Sequence, residues 1–444
     1  MSRTVRKMSL FSTAGVLVAL SIGLAQAQTA PATFVPFNDF IQSLNGANST
    51  HFVARTGFQV QDSAAFEEMR QHILSMYNGV AVSHSYVLGS QTFDCIPIDE
   101  QPSLRALGQS QVASEPPSAP PPPSNVSGSQ STTLSQLPLG QTKDTFGNTL
   151  GCEANTIPMS RVTLEQLSRF KTLHEFFEKG PNGSGQAPMP GKTLNAIPPA
   201  TYAHKYGFTY QYVNNLGPST SINLWRPYIY SDLNEVFSLA QLWTIGLSSG
   251  PVQTAEAGWQ NYPALYGSEN SALFIYWTAD GYNQTGCYNL TCSAFVQTSS
   301  SLHLGAGFTN YSIFHGPQYE TQLQYYLYNG NWWLRFNGAW VGYYPGSIYR
   351  GGQLTRYSNL LEFGSESVGT TVWPSEGSVL WANNGFTYAA YQRVLYYVNT
   401  SDTSIWDSLV ADVPSPACYT VTQPSYNSSW GTFFYFGGPG GAGC

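Results

Sequence analysis

The chain has 444 residues, and charged side chains make up only 10% of it, against the ~25% usual in soluble proteins. Lys+Arg 18 against Asp+Glu 25 leaves a formal net charge of -7 and no basic stripe, which argues against nucleic-acid binding. Coiled coils and long solvated helices need dense Glu, Lys and Arg, and those are missing; 42 Gly, 29 Tyr, 24 Phe and 11 Trp instead suit short strands joined by tight turns.

In chain order, Arg3, Arg6 and Lys7 precede an apolar run from Val16 to Leu24, and Ala25-Gln26-Ala27 offers a small-x-small cleavage pattern. This predicts a secretory signal peptide over residues 1–27 and an extracellular protein with no membrane attachment after its removal. The apolar run is too short for a membrane anchor of ~20 residues. Export to an oxidising compartment makes the six cysteines candidates for disulfides. Their positions suggest Cys287 with Cys292 in a short loop, Cys418 with Cys444 at the C-terminus, and Cys95 with Cys152 in the N-terminal region. A zinc site is the competing reading, but a C-x4-C pair without His at ligand spacing does not support one.

Phe66, Met69, Ile73 and Leu74 recur near helical spacing after Asp62, which predicts an N-capped amphipathic helix. A Pro/Ser/Ala stretch from Glu115 to Pro123 opens a linker over 113–145 that cannot bury a core. A second helix is predicted over Leu164 to Phe177, followed by a Gly/Pro-rich break from Gly180 to Pro199. From about Tyr202 onward the texture changes. Tyr206–Tyr212, Ala272–Thr278, Gln322–Tyr328, Trp332–Phe336 and Leu395–Val398 alternate or cluster aromatic and β-branched residues between turns. Asn329-Gly330 predicts a type I′ hairpin. The fold class is therefore all-β, an antiparallel β-sandwich of two sheets over 199–444. A smaller mixed α/β region over 28–198 precedes it.

Familiar hydrolase signals are weak. Gly246-Leu247-Ser248-Ser249-Gly250 fits G-x-S-x-G, but a strand rather than a helix is expected after it. His174-Glu175 is followed by Glu178 where a zincin needs His. Asp280 and Asn283 read as an Asx-type turn rather than a calcium loop. The scarce acids are more informative. Strand alternation puts Thr254, Glu256, Gly258 and Gln260 on one face, and Glu362, Gly364 and Glu366 on one face of another strand. Residue pattern alone ends at a secreted β-protein with a carboxylate site.

Ser238-x-x-Gln241-x-Trp243, Glu256-Ala257-Gly258-Trp259-Gln260, Phe274 to Tyr282, Thr285 to Leu290, Cys292 to Gln297, Trp332-Trp333-Leu334 and Val341 to Pro345 together resemble the neprosin family of secreted glutamic peptidases. Phe93 to Pro102, and Gly151-Cys152 with Thr156 to Arg161, are similar to that family's propeptide region. The resemblance implies a two-sheet sandwich carrying a catalytic pair of glutamates. The first falls on Glu256. The second falls on Glu366 through a W-G-G-E motif, from which this chain departs at Phe363 and Ser365, with Glu362 as the alternative. Gln241 and Gln260 are candidate donors to an oxyanion, with a structural role in the strands as the competing reading. The implied protein is a monomeric, acid-active endopeptidase acting on peptides or proteins without metal or other cofactor, with a preference near proline carried over from the family. The N-terminal region through about Pro198 would be an inhibitory prosegment. A secreted carbohydrate-binding or adhesive sandwich is the rival, and a glycosidase with paired carboxylates a third reading.

Overall fold

Short runs rich in Tyr, Trp, Phe and β-branched residues cannot hide both faces in a single layer, so two sheets stack on each other. The computed structural model describes residues 33–126, 141–181, 188–190, 202–248 and 250–444. The expected signal peptide and residues 127–140 of the linker lie outside these.

The N-terminal region builds α1 (Phe37–Gly46), α2 (Ser63–Met76), β1 (His84–Leu88), β2 (Gln91–Pro97), α3 (Pro102–Leu107), β3 (Thr156–Ser160), α4 (Leu164–Leu167) and α5 (Leu173–Phe177). Asp62 caps α2 by accepting from the Ala65 N–H at 2.8 Å, as its sequence predicts. The single helix expected over Leu164–Phe177 is two helices. Thr163 and Thr172 each accept a backbone N–H at a new helix start, so the chain restarts between them. Arg161 binds Asp94, which also accepts from Tyr77 at 2.6 Å and Ser85 at 2.6 Å, tying β2 and β3 to α2.

The sandwich follows. The strands that follow are β4 (Ala203–Gln211), β5 (Asn215–Asn223), β6 (Phe237–Gly246), β7 (Gln253–Asn261), β8 (Ala272–Thr278), β9 (Val296–Gln297), β10 (Glu320–Tyr328), β11 (Asn331–Phe336), β12 (Ala339–Pro345), β13 (Leu360–Gly369), β14 (Val372–Trp373), β15 (Ala390–Asn399), β16 (Ser404–Trp406), β17 (Val410–Asp412), β18 (Thr420–Val421), β19 (Ser425–Asn427) and β20 (Gly431–Gly437); β14 stands outside the sandwich and pairs with Gly441–Ala442. Among the described residues, six form one sheet in the order β17-β4-β13-β6-β7-β8. Ten form the other, with the path β18-β20-β15-β5-β10-β11-β12-β9 and β16 and β19 at its margin. All the pairings are antiparallel. Asn329 (φ 48°) and Gly330 (φ 75°) make the expected hairpin turn between β10 and β11.

The two faces of the six-stranded sheet have different partners. Ala240, Leu242, Ala255, Ala257, Trp259 and Phe363 pack inward with Leu323, Tyr325, Trp332 and Tyr344 of the ten-stranded sheet. On the opposite face, Tyr206, Leu239, Trp243 and Tyr276 share a core with Phe66, Met69, Ile73 and Phe176 of the N-terminal helices. The N-terminal region therefore packs over this face of the sheet. Among the described residues, no helix is long and apolar enough to cross a membrane.

Two of the three expected disulfides are present, Cys95–Cys152 and Cys287–Cys292. Cys418 and Cys444 are not joined, which corrects the third pairing. Burial, followed by the neighbouring Cys444 thiol, pushes the Cys418 thiol up to about 12. Peptide maps of the folded protein without reductant are expected to show two bridges and two alkylatable thiols. A Cys418–Cys444 bridge in those maps would contradict this.

Candidate active site

Register across β4, β13, β6, β7 and β8 arranges the covered sheet face in rows. One row runs Tyr210, Glu362, Trp243, Glu256, Tyr276; the next runs Phe208, Gly364, Gln241, Gly258, Phe274; the third runs Tyr206, Glu366, Leu239, Gln260, Ala272. Glu256 and Glu366 thus stand diagonally across Gln241, two strands apart. Gly258 and Gly364 flank Gln241 in the middle row. A Cβ on Gly258 would collide with the Ala240 carbonyl, and one on Gly364 with that of Gly207, so both positions are confined to glycine. The missing side chains leave a saddle between the two acids.

Lys179 fills that saddle. Its Nζ lies 2.5 Å from Glu256 Oε2 and 2.6 Å from Glu366 Oε2, with all three side chains fully buried. The helix α5 sets its position. Thr172 caps the helix start, Tyr276 donates to the Phe177 carbonyl at 3.0 Å, and the chain turns extended at Glu178. The ammonium then sits 5.3 Å from the Trp243 ring centroid, close enough for a cation–π contact.

Each glutamate has further donors. Glu256 Oε1 accepts from Tyr282 Oη at 2.6 Å and Thr254 Oγ1 at 2.7 Å. Glu366 Oε1 meets His204 Nδ1 at 2.5 Å, and its Oε2 also accepts from Gln241 Nε2 at 3.2 Å. Burial alone would push the Glu366 carboxyl up. The Lys179 charge and the His204 contact outweigh it and hold the group below the ordinary carboxylate range. Burial likewise disfavours the Lys179 ammonium, but the two glutamates more than compensate and raise its pKa. Burial, then the Glu256 charge, pushes the Tyr282 hydroxyl well up, so it remains a donor.

The other candidates fall elsewhere. Glu362 shares the face and the Glu256 row, but both its oxygens are buried without a hydrogen-bond partner. Burial, then the charges of Glu256 and Asp412, drives its carboxyl well up, which favours the neutral acid. Gln260 is on the predicted face, yet its amide is spent on Tyr288 and Tyr266, which is the structural role. Gln241 keeps a buried Oε1 with no partner beside the glutamates. Ser248 lies in the loop joining β6 to β7, with no helix after it. Asp280 accepts backbone N–H groups from Asn283, Gln284 and Thr285, the Asx-type turn. Among the described residues, no cluster of His, Cys, Asp and Glu is arranged to hold a metal.

Lys179, His204 and Tyr282 were not singled out from sequence. For His204 a signal existed: it alternates with Tyr206, Phe208 and Tyr210 and so shares their face.

The Neprosin family model matches residues 234–439, a span that includes Gln241, Glu256 and Glu366 but neither Lys179 nor His204. Among solved structures, the chain is similar to scytalido-glutamic peptidase with a peptide-based transition-state analogue. The identity is 12%, the coverage 53% of this chain and 100% of that chain, and the TM-score 0.30. It is also similar to SCP-B, a member of the eqolisin family of peptidases in complex with the tripeptide Ala-Ile-His, at 10% identity, 53% and 98% coverage and TM-score 0.29. Overlaps this loose carry no argument about chemistry. Residues 234–439 thus match the Neprosin family.

Proposed function

We propose that the chain is the precursor of a secreted, acid-active endopeptidase in which Glu256 and Glu366 activate water. Its N-terminal region through about Pro198 is an inhibitory prosegment. One observation supports this above the others: two buried carboxylates converge on a single ammonium supplied by the covering region. Their oxygens touch the same nitrogen, so they lie close enough to share one water when it leaves.

Without Lys179, two carboxyls facing one water cannot both ionise cheaply, and the pair keeps a proton over an acidic window. Glu366 retains His204 and Gln241 as donors and serves as the base. It takes a proton from water as the oxygen attacks the scissile carbonyl carbon. Glu256, positioned by Tyr282 and Thr254, serves as the acid. It hydrogen-bonds the carbonyl oxygen and then protonates the amine as the C–N bond breaks. Gln241 Nε2, whose second hydrogen is not spent on Glu366, donates to the developing oxyanion. The preference near proline carries over from the family resemblance; no pocket residue accounts for it.

The testing experiment holds the purified full-length protein at pH 3–5 with a denatured protein and maps the peptides released. Hydrolysis is expected, together with a self-cleaved fragment beginning between Gly180 and Ala203. A deeper cut is not expected, because β4 is paired along its length with β13 and, over Phe208–Tyr210, also with β17. An uncleaved chain with full activity would overturn the prosegment assignment. Sugar binding without peptide release would favour the adhesive sandwich.

A further inference from the structure

On the outer face of the ten-stranded sheet, away from the glutamates, the chain seats its own proline-rich stretch. Ala113 N–H donates to Tyr343 Oη at 2.9 Å, and Thr298 Oγ1 donates to Glu115 at 3.0 Å. Farther along, the Pro120 carbonyl accepts from both Gln324 Nε2 at 3.0 Å and Tyr396 Oη at 2.9 Å. The floor is low because Ser219 and Ser221 of β5 carry short side chains in register with Gln324 and Gln322 of β10. Arg335 of β11 pairs with Gln324, and Arg393 of β15 pairs with Ser221. Between these residues and Ala119, Pro121, Pro122 and Val126 lies an unfilled space of about 390 Å³.

The chemistry of this trough matches one kind of ligand. A polyproline II segment makes no internal hydrogen bonds, and proline has no N–H, so its backbone offers acceptors and almost no donors. The trough answers with donors: the Tyr396 hydroxyl, the Gln324 amide and the guanidinium groups of Arg335 and Arg393. Arg393 binds Glu320 through Nε and Nη2, while its Nη1 is buried with no hydrogen-bond partner. A preformed extended ligand also loses little entropy on docking.

We propose that this trough is a binding site for proline-rich peptides in the polyproline II conformation. In the precursor the chain's own Glu115–Pro123 stretch occupies it, and after activation the proline-rich segment of a protein substrate does. The second half rests on the prosegment reading above. Cys95 and Cys152 both precede the proposed cut, so neither described disulfide would tether the stretch to the sandwich. The vacated trough would hold a proline-rich substrate on the opposite sheet from the glutamates, raising its local concentration without touching the scissile bond.

The probe is a fluorescent peptide with the sequence of residues 115–125, read by anisotropy. It is offered to three proteins: the full-length chain, the acid-processed form, and a full-length chain with Pro116, Pro117 and Pro120 to Pro123 replaced by serine. The last two are expected to bind at least tenfold more tightly than the first. Adding Tyr396→Phe and Gln324→Ala should cost tenfold or more in binding and leave hydrolysis of a short proline-free peptide unchanged. A probe with alanine for every proline should not bind. Equal binding of the alanine probe, or binding indifferent to Tyr396 and Gln324, overturns the site, as does failure of both the processed and the serine-substituted chains to bind. Should acid processing itself fail, the prosegment reading falls, and the serine-substituted chain still decides the trough.

Discussion

Glu256→Gln and Glu366→Gln are each expected to reduce turnover by on the order of 10⁴-fold or more, with the fold retained. Glutamine preserves the shape at both positions and can still accept from Tyr282 or His204. It cannot take up or release the proton that water activation requires. Because the two residues would act as a unit, the double variant should be little slower than either single one. The readout is single-turnover cleavage of a reporter peptide at acid pH, after an unrelated protease has cut the prosegment. Circular dichroism confirms the fold. Glu362→Gln supplies the control. Burial pushes its carboxyl well up and it has no hydrogen-bond partner, so exchanging it for a neutral amide should change the rate only slightly. Loss of activity in Glu362→Gln with retention in Glu366→Gln would move the second acid four residues back. Full activity in Glu256→Gln would end the two-carboxylate mechanism.

How much of this could be read from the sequence follows from the range of the forces involved. Period-two alternation is local, and it correctly put Glu256, Gly258 and Gln260 on one face, and Glu362, Gly364 and Glu366 on one face. Alternation does not say which strands are neighbours. The insertion of β6 between β7 and β13, which sets the two acids diagonally across Gln241, emerges only from the sheet. Lys179 was the least legible residue. It follows a short helix just before a Gly/Pro-rich break and meets Glu256 across 77 positions, where no periodicity or motif points to it. The helix over Leu164–Phe177 failed for a local reason that was visible: Thr163 and Thr172 are both good caps, and two caps mean two starts. The Cys418–Cys444 pairing came from elimination by position, which sees proximity but not whether the thiols are oxidised.

Lys179→Met is expected to destabilise the precursor strongly at neutral pH and hardly at all in acid. Methionine fills much the same space, but it leaves two buried carboxylates facing each other without a counter-charge, a loss of roughly 3–5 kcal/mol for a broken buried ion pair. The sign with pH follows from the two partners. The Glu366 carboxyl is held below its ordinary value, so its contribution is complete above the usual glutamate range and disappears as pH falls through the lowered folded value. The Lys179 pKa is raised, so its contribution is complete below the usual lysine value and disappears only as pH rises through the raised one. Between these limits the clamp is closed; at the acid end it opens because the carboxylate takes a proton while the lysine remains charged. On the proposed reading, acid would thus release the plug and leave the pair carrying the proton that hydrolysis needs. The wild-type precursor should therefore process itself only in acid. The variant, lacking the ammonium, should do so at distinctly higher pH, while Lys179→Arg keeps a positive charge at the saddle and should stay closer to wild type. Thermal unfolding of the intact precursors at pH 7 and pH 3, paired with gel-resolved processing across the range between, reads both effects. A wild-type processing profile in Lys179→Met, or a melting deficit of the same size at both pH values, would mean that Lys179 holds the region in place without gating the site.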